Sequence, residues 1–296
     1  MKKNLAVVII LNLNKKNDTL KCLDSVTNMD YHPFEIVVVD NGSKDNSVIE
    51  IKRRFPKVHL IESRFNLGVS GGRNLALKFI KDKFDYKYIL ILDNDTVVEK
   101  NTLSNMVKSF HSEQNIGIVT PKCYMMNLPG IINYAGGMSI NFITGNISDI
   151  GIGEKDIGQH DQPEFINSSA GLCLISNDVI NSIGVFDEKF NPYGWEDVDF
   201  SLRARRHGYK IFYNPEAIIY HKGGKKGRGA VKEYEYAKAK NYFYLIRKHA
   251  NYFQLAIVFS LLPFKVLWLI AKELYYGEVK ILLAQFRGFL SLFKRS

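Results

Sequence analysis

The sequence predicts an α/β fold: a Rossmann-like, mostly parallel sheet with flanking helices, followed by an amphipathic, hydrophobic helical tail. Three observations carry this. Short β-rich runs alternate with helix-patterned segments in the first third of the chain, each run ends in polar residues, and the basic excess and the longest apolar run both fall in the last quarter. The runs Leu5 to Leu11, Glu35 to Val39, Val58 to Ile61 and Tyr88 to Leu92 are the expected strands. Between them lie helical patterns at Asp18 to Thr27, Ser47 to Phe55 and Ser70 to Lys83, the last with Leu75, Leu77, Phe79 and Ile80 on its apolar side. Strands alternating with helices imply right-handed crossovers and a parallel sheet.

The second half is less regular. An extended stretch is expected over Phe165 to Ile175, a helix from Glu196 to His207 closed by Gly208, and two strands, near Lys210 to Tyr213 and near Ala217 to Tyr220. The stretch "HKGGKKGRGAVKE" reads as a mobile glycine- and lysine-rich loop. Beyond it, Tyr234 to His249 reads as a helix and Tyr252 to Ala271 as an apolar one with Pro263 and Lys265 near its middle.

Composition sets the limits. With 296 residues, 46% of them hydrophobic, the chain can bury a real core as one large α/β domain or two small ones. Cys22, Cys123 and Cys173 are scattered and odd in number, which excludes a disulfide framework or zinc site and fits a reducing compartment. The opening MKKNLAVVIILNLN imitates a signal peptide, but Asn12 and Asn14 interrupt it and no small-residue cleavage site follows, so it reads as a strand. Of the net charge of +10, none arises before Lys222: 25 Lys and Arg face 26 Asp and Glu up to His221, and 15 face 4 thereafter. Because these basic residues interleave with apolar runs, the tail suits an anionic lipid surface and no nucleic-acid partner is expected.

In a parallel sheet ligands bind beyond the carboxyl ends of the strands. One rim therefore carries Asn12, Asp40 ahead of Asn41-Gly42-Ser43, and Asp93-Asn94-Asp95. Asp93 and Asp95 alternate along an extended chain, so both can face one hard cation, Mg²⁺ or Mn²⁺, that also holds phosphate oxygens. Helix capping is the plainer reading of a bare D-x-D; its place after "YILIL" favours the cation. Asn41 to Asp45 fits turn and cap chemistry as well as ligand contact, whereas Asp40 is the better ligand candidate. "NLGVSGGRN", Asn66 to Asn74, brings Gly68, Arg73 and Asn74 ahead of a helix. It is no Walker loop, but a helix entry with an arginine suits a diphosphate.

Six blocks in order, "VVIILNLNKKNDT", "IVVVDNGSKDNS", "NLGVSGGRN", "LILDNDT", "GWEDVDFSLRARRHGY" and "YNPEAIIYH", resemble glycosyltransferase family 2, most closely its rhamnosyltransferase-like members that build bacterial surface polysaccharides. The resemblance spans about residues 5 to 250. It implies a GT-A fold over residues 1–230, with a nucleotide-binding half to about 115 and an acceptor half beyond; the basic, apolar residues 231–296 read separately as a helical membrane-association tail. It also implies a nucleotide-diphosphate sugar donor (dTDP-rhamnose or a UDP-sugar), a divalent metal and inversion at the anomeric carbon.

Carried over by position, Asn12, Asn14 and Asp40 fall where the family binds base and ribose, with Asn66, Gly68, Arg73, Asn74 and Asn94 nearby. Asp93 and Asp95 match the motif that holds metal and diphosphate, and Glu196-Asp197 matches the catalytic carboxylate position, with the base assigned to Asp197. An acceptor hydroxyl needs such a base. Without the family, "WEDVDF" reads equally as an acid-rich helix N-terminus. Asp199 and Arg203 are spaced i,i+4 as a structural pair. His221 matches a histidine that closes the nucleotide site and can ligate the metal, although a lone histidine after a strand is also a common structural feature. Trp195 suits stacking on a sugar or simple burial, and Gly171 suits a tight position near the donor sugar or close packing. Asn12-Leu13-Asn14 and Asn191 depart from the family pattern, and the second leaves acceptor choice open.

Tyr252 to Ala271 is about long enough to cross a bilayer, for which roughly 20 apolar residues suffice. Lys265, Pro263 and the flanking Arg247, Lys248, Lys272, Lys280, Trp268, Tyr275 and Tyr276 favour interfacial helices over a span. A homodimer contact would use the same surface. The expected protein is a peripheral, inverting, metal-dependent glycosyltransferase at the cytoplasmic face of a bacterial membrane, acting on a glycan or lipid-linked acceptor. Its alternatives are a nucleotidyltransferase, which lacks a glycine-rich, lysine-bearing signature here, and a non-catalytic nucleotide-sugar-binding subunit.

Overall fold

The computed structural model describes residues 4–222, 232–276 and 279–290. The glycine- and lysine-rich stretch expected to be a mobile loop lies largely outside them, over 223–231. In chain order the first elements are β1 (Ala6–Asn12), α1 (Lys16–Thr27), β2 (Phe34–Asp40), α2 (Ser47–Arg54), β3 (His59–Glu62), α3 (Gly68–Lys83) and β4 (Tyr88–Asp93). These agree with the expected runs to within a few residues. Next come β5 (Thr96–Val98), α4 (Thr102–Ser109), β6 (Ile116–Met125), β7 (Ile132–Ala135), β8 (Gly137–Asn141), β9 (Asn146–Asp149), β10 (Glu164–Ile166), β11 (Ser168–Ser169) and β12 (Cys173–Ser176). The chain continues through α5 (Asn177–Ile183), α6 (Glu196–Arg206), β13 (Lys210–His221), α7 (Lys232–His249), α8 (Tyr252–Tyr275) and α9 (Val279–Leu290).

The large sheet has the order β10-β13-β6-β12-β4-β1-β2-β3, with β5 added to β13 and β7 to β6. It is mostly parallel. Inside it β12 runs antiparallel to both β4 and β6, and β10, β5 and β7 run antiparallel to the strands they join. Continuous apolar runs are what a sheet covered on both faces requires. Alternate residues confirm this: Ala6, Val8 and Ile10 pack with Leu23 of α1, Ile51 of α2 and Met106 of α4, while Val7 and Ile9 pack with Leu77 of α3, Val179 of α5 and Phe200 of α6.

Two expectations need correction. The two strands expected after α6 are one strand, β13, whose register against β6 shifts between Asn214 and Ile218. The polar Asn214-Pro215-Glu216 looked like a break but is a bulge. The extended stretch at Phe165 to Ile175 is three short strands. Ser168 and Ser169 leave the main sheet to pair with β8, and β12 returns to it after Gly171, whose φ is 91°.

Register then fixes the site. Asn12 lies beside Asp40, and Leu11 beside Asp93, so three strand ends stop at one level. The chain moves outward from β1 through β2 to β3 and then restarts on β1's other side with β4. That reversal opens a crevice between β1 and β4.

Candidate active site

At the ends of β1 and β2, buried polar groups bond mainly to one another. The Asn12 amide donates to Asp40 Oδ1 at 2.6 Å and to Ser43 Oγ at 3.0 Å, while its Oδ1 accepts from Thr19 Oγ1 at 2.7 Å and from the Asn94 amide at 3.4 Å. Asp40 Oδ2 accepts from the Ser43 N–H at 2.9 Å. Asn14, at a φ of 53°, accepts from the Lys44 N–H at 2.7 Å, and its own N–H donates to Ser43 Oγ. Asp45 accepts from the N–H of Lys16 and of Ser47, so the cap reading of that carboxylate is the one the geometry supports.

The glycine-rich segment enters α3 under a clasp. Asn66 Oδ1 accepts from the Gly68 N–H at 2.9 Å. Gly68 has a φ of 74°, and a Cβ there would stand 2.5 Å from Asn191 Oδ1. Asn191 donates to Leu67 O at 2.8 Å and accepts from the Ser70 N–H at 3.2 Å. The residue that departs from the family pattern thus holds this loop. Asn74 is turned away from the rim: its amide donates to Phe186 O and Glu188 Oε1, both at 2.9 Å, and its Oδ1 accepts from the Phe186 N–H.

Arg73 leaves the same helix in the other direction. It is buried, with Nη1 at 3.2 Å from Glu196 Oε1, Nη2 at 3.6 Å from Asp93 Oδ1, and its guanidinium over the Phe186 ring. Burial opposes its charge, but Glu196, Asp93 and Asp197 outweigh that and hold its pKa above the ordinary value.

β4 ends in Asp93, and β13 ends in His221 with two strands, β12 and β6, between them. The short strand β5, which pairs Thr96 with His221, folds the D-x-D turn back onto it. His221 Nε2 lies 3.1 Å from Asp95 Oδ1 and 3.9 Å from Asp93 Oδ2. One donor atom from each of the three residues lies within 4.8 Å of the others. Two carboxylate oxygens and one imidazole nitrogen, partly exposed on one side, fit a divalent cation such as Mg²⁺ or Mn²⁺. Burial works against charge on Asp95, yet His221 keeps its carboxyl below the ordinary range. The other ring nitrogen of His221 faces the Asn133 amide at 2.9 Å.

The remaining acids stand at the start of α6. Glu196 is buried and committed: Oε1 to Arg73, Oε2 to the Gly194 N–H at 2.7 Å. Asp197 is half-buried and accepts from the Val198 N–H at 2.8 Å. Burial, then the charge of Glu196, push its pKa up to about 7, with Arg73 partly opposing. A Cβ on Gly171 would lie 3.3 Å from Asp197 Oδ2, so the missing side chain leaves space beside that oxygen. Trp195, at a φ of 72°, donates its indole N–H to Lys238 O at 2.9 Å and lies under the Lys238 ammonium. Asp199 pairs with Arg203 at 2.9 Å, as its spacing indicated, and also with Lys248 and His249.

The structure therefore gathers Asp93, Asp95, His221, Arg73, Glu196, Asp197 and Gly171 around one crevice and sets Asn12, Asp40, Asn14 and Asn94 along its wall. Asn66 and Asn74 belong to the clasp around it, and Trp195 ties α6 to α7. Asn133 and Asn191 carried no local motif, because their partners lie 88 and 124 residues away.

Two family models match the chain. The model for glycosyl transferase family 2 matches residues 7–147, and that for glycosyl transferase family group 2 matches residues 88–286, more than half of the chain. Among curated proteins, the low-salt glycan biosynthesis hexosyltransferase Agl10 of Haloferax volcanii is 26% identical over 206 residues, covering 69% of this chain and 62% of its own length. Poly-beta-1,6-N-acetyl-D-glucosamine synthase of Staphylococcus epidermidis is 24% identical over 211 residues, covering 70% of this chain and 47% of its own. The chain thus spans about half to three fifths of these relatives. Among solved structures, that of GalNAc-T7 with UDP, GalNAc and Mn²⁺ superposes with a TM-score of 0.64 at 17% identity, covering 82% of this chain and 47% of that one, which shows a shared GT-A-like fold.

Proposed function

The chain belongs to glycosyl transferase family group 2, and from that premise we propose that it moves a hexosyl unit from a nucleoside-diphosphate sugar to a hydroxyl of a glycan or lipid-linked acceptor, with inversion. Asp197 takes the acceptor hydroxyl's proton as that oxygen bonds to the anomeric carbon. The bond from this carbon to the diphosphate oxygen breaks, and the leaving nucleotide keeps the electron pair. A single displacement inverts the centre. A carboxylate whose pKa lies near 7 suits this role, since it is ionised at working pH yet still basic. Glu196 holds Arg73 in place, and Arg73 faces the diphosphate side through Asp93.

Asp93, Asp95 and His221 would hold a Mg²⁺ or Mn²⁺ ion, which when bound offsets negative charge on the departing diphosphate. Along the wall, Asp40, Asn14 and Asn94 face the nucleoside, with Asn12 orienting Asp40. The hexosyltransferase Agl10 and the poly-beta-1,6-N-acetyl-D-glucosamine synthase support a hexosyl donor in glycan synthesis; dTDP-rhamnose, UDP-sugars and GDP-sugars form the panel that identifies it. The three buried, free cysteines fit a cytoplasmic location. A nucleotidyltransferase or a purely binding role is not favoured.

One observation carries the reading: buried Arg73 touches both Asp93 of the cation group and Glu196 beside Asp197, so the two carboxylate sets share one crevice. Asp197→Asn tests it. Donor and Mn²⁺ binding are expected to persist by calorimetry while transfer falls by about 10²–10⁴-fold, the range that general-base catalysis supplies. Undiminished turnover in that variant, or turnover indifferent to chelators, would refute the assignment.

A further inference from the structure

The apolar run that could cross a membrane by length is not symmetric around its axis. On α8 one stripe is turned inward: Val258 and Glu273 are buried, and Lys265 between them is half-buried. These positions recur at seven- and eight-residue intervals, so they share one face of a helix. The Lys265 ammonium donates to Thr144 O at 2.5 Å and to Asn146 Oδ1 at 3.0 Å, in the turn between β8 and β9. The opposite face is left open, with Phe253 71%, Phe264 70%, Leu267 63%, Trp268 66% and Tyr275 83% exposed.

α9 repeats the arrangement. Ile281, Ala284 and Gly288 are buried, and Gly288 lies so close to α7 that a Cβ would meet Tyr236 O at 2.6 Å. Val279, Leu283, Phe286 and Leu290, spaced four, three and four apart, form an exposed apolar stripe. Lys272, Lys280 and Arg287 are exposed beside these faces.

We propose that the outward faces of α8 and α9 form a docking surface on which the protein lies against an anionic lipid bilayer without crossing it. A span would place Lys265 and the polar β8–β9 turn it grips in hydrocarbon, where unsatisfied backbone and charge are costly. Lying flat keeps both at the water side. Charge selects the occupant. The chain from Lys222 onward carries 15 Lys and Arg against 4 Asp and Glu, so a second copy would bring like charges together, whereas anionic headgroups neutralise them. α7, on which α9 packs, also holds Trp195 at the start of α6, so the bilayer would lie one helix away from the crevice. The docking surface does not depend on the transfer reading.

Flotation of the full chain with vesicles tests this. Co-flotation is expected with phosphatidylcholine vesicles containing phosphatidylglycerol, weak with phosphatidylcholine alone, and falling as salt rises. Alkaline carbonate should release the protein. Phe264→Asp with Trp268→Asp should abolish flotation at an unchanged melting temperature; if that pair unfolds the chain, Lys272→Glu with Arg287→Glu tests the electrostatic half with the same expectation. The proposal is overturned if the wild type stays in solution, if it resists carbonate as a spanning protein would, if either pair floats like the wild type, or if the wild type sediments as a dimer that the substitutions split.

Discussion

The rim side of α6 and its α7 side treat a carboxylate in opposite ways. Asp199, fully buried, accepts from Arg203 at 2.9 Å, Lys248 at 2.8 Å and His249 at 2.7 Å; burial alone would raise its pKa, but these partners bring it down to about 2. Asp197, two residues earlier, has Glu196 for a neighbour and shares Arg73 with two other acids, and its pKa rises to about 7. What differs is cations per carboxylate. Where cations outnumber acids the helix is being anchored, and where acids outnumber cations a proton can be exchanged near neutral pH.

The largest effect should come from the anchored side. Asp199→Ala would leave the cations of Arg203 and Lys248, and the His249 ring, around one buried vacancy, and breaking such a site by removing one partner typically costs about 3–5 kcal/mol. The midpoint of urea unfolding should fall accordingly. A midpoint that does not move would break the contrast, because Asp199 would then be no better placed than its neighbour.

On the rim side the sign reverses. A folded-state pKa near 7 against an ordinary 3.8 means that the native chain holds a proton the unfolded chain has released between those values, so this group makes stability fall as pH rises through the window. Asp197→Asn should therefore raise the melting temperature at about pH 8 while abolishing transfer, and the gain should vanish toward pH 4. In the wild type kcat/KM should rise with pH through about 7. A variant that melts lower than the wild type at about pH 8 would make Asp197 structural.

Smaller again is the wall formed by β1 and β2. Asn12 is buried and bonded at both ends of its amide, so Asn12→Leu leaves Asp40 Oδ1 without its donor and Thr19 Oγ1 without its acceptor, at a cost of about 1–3 kcal/mol for buried groups left unpaired. Donor affinity measured by calorimetry should weaken with it, because Asp40 loses the group that orients it. Unchanged affinity would separate the wall from the site.

How much of this was legible depended on distance along the chain. Four strands and three helices from Leu5 to Leu92 show in the sequence because each carries its own period and its own polar terminus. The strands β5, β7, β8 and β9, the division of the Phe165 to Ile175 stretch into separate strands, and the bulge in β13 do not, since runs of two to five residues with mixed polarity have no period to detect. The same rule governs the site. Asp93, Asp95, Asp197 and His221 sit in recognisable local blocks. The Asp199–His249 contact spans 50 residues and the Asn133–His221 contact 88, and nothing local marks either partner.

Asn133 gives the finest test of whether the cation group is organised like a working site. As placed, its amide nitrogen faces His221 Nδ1, so the ring proton of a neutral imidazole sits on Nε2 and points to Asp95. Offering the Nε2 lone pair to a cation requires that proton on Nδ1, with an acceptor there. Turning the Asn133 amide over presents its oxygen and meets the requirement without moving the backbone. Asn133→Leu should therefore weaken Mn²⁺ binding, measured calorimetrically without donor, by about tenfold, the lower end of what loss of a histidine's outer partner costs. Asn133→Asp keeps an acceptor and should bind at least as tightly as the wild type. If Leu and Asp behave alike, His221 is held by the fold alone, and the cation group owes nothing to the strand that carries Asn133.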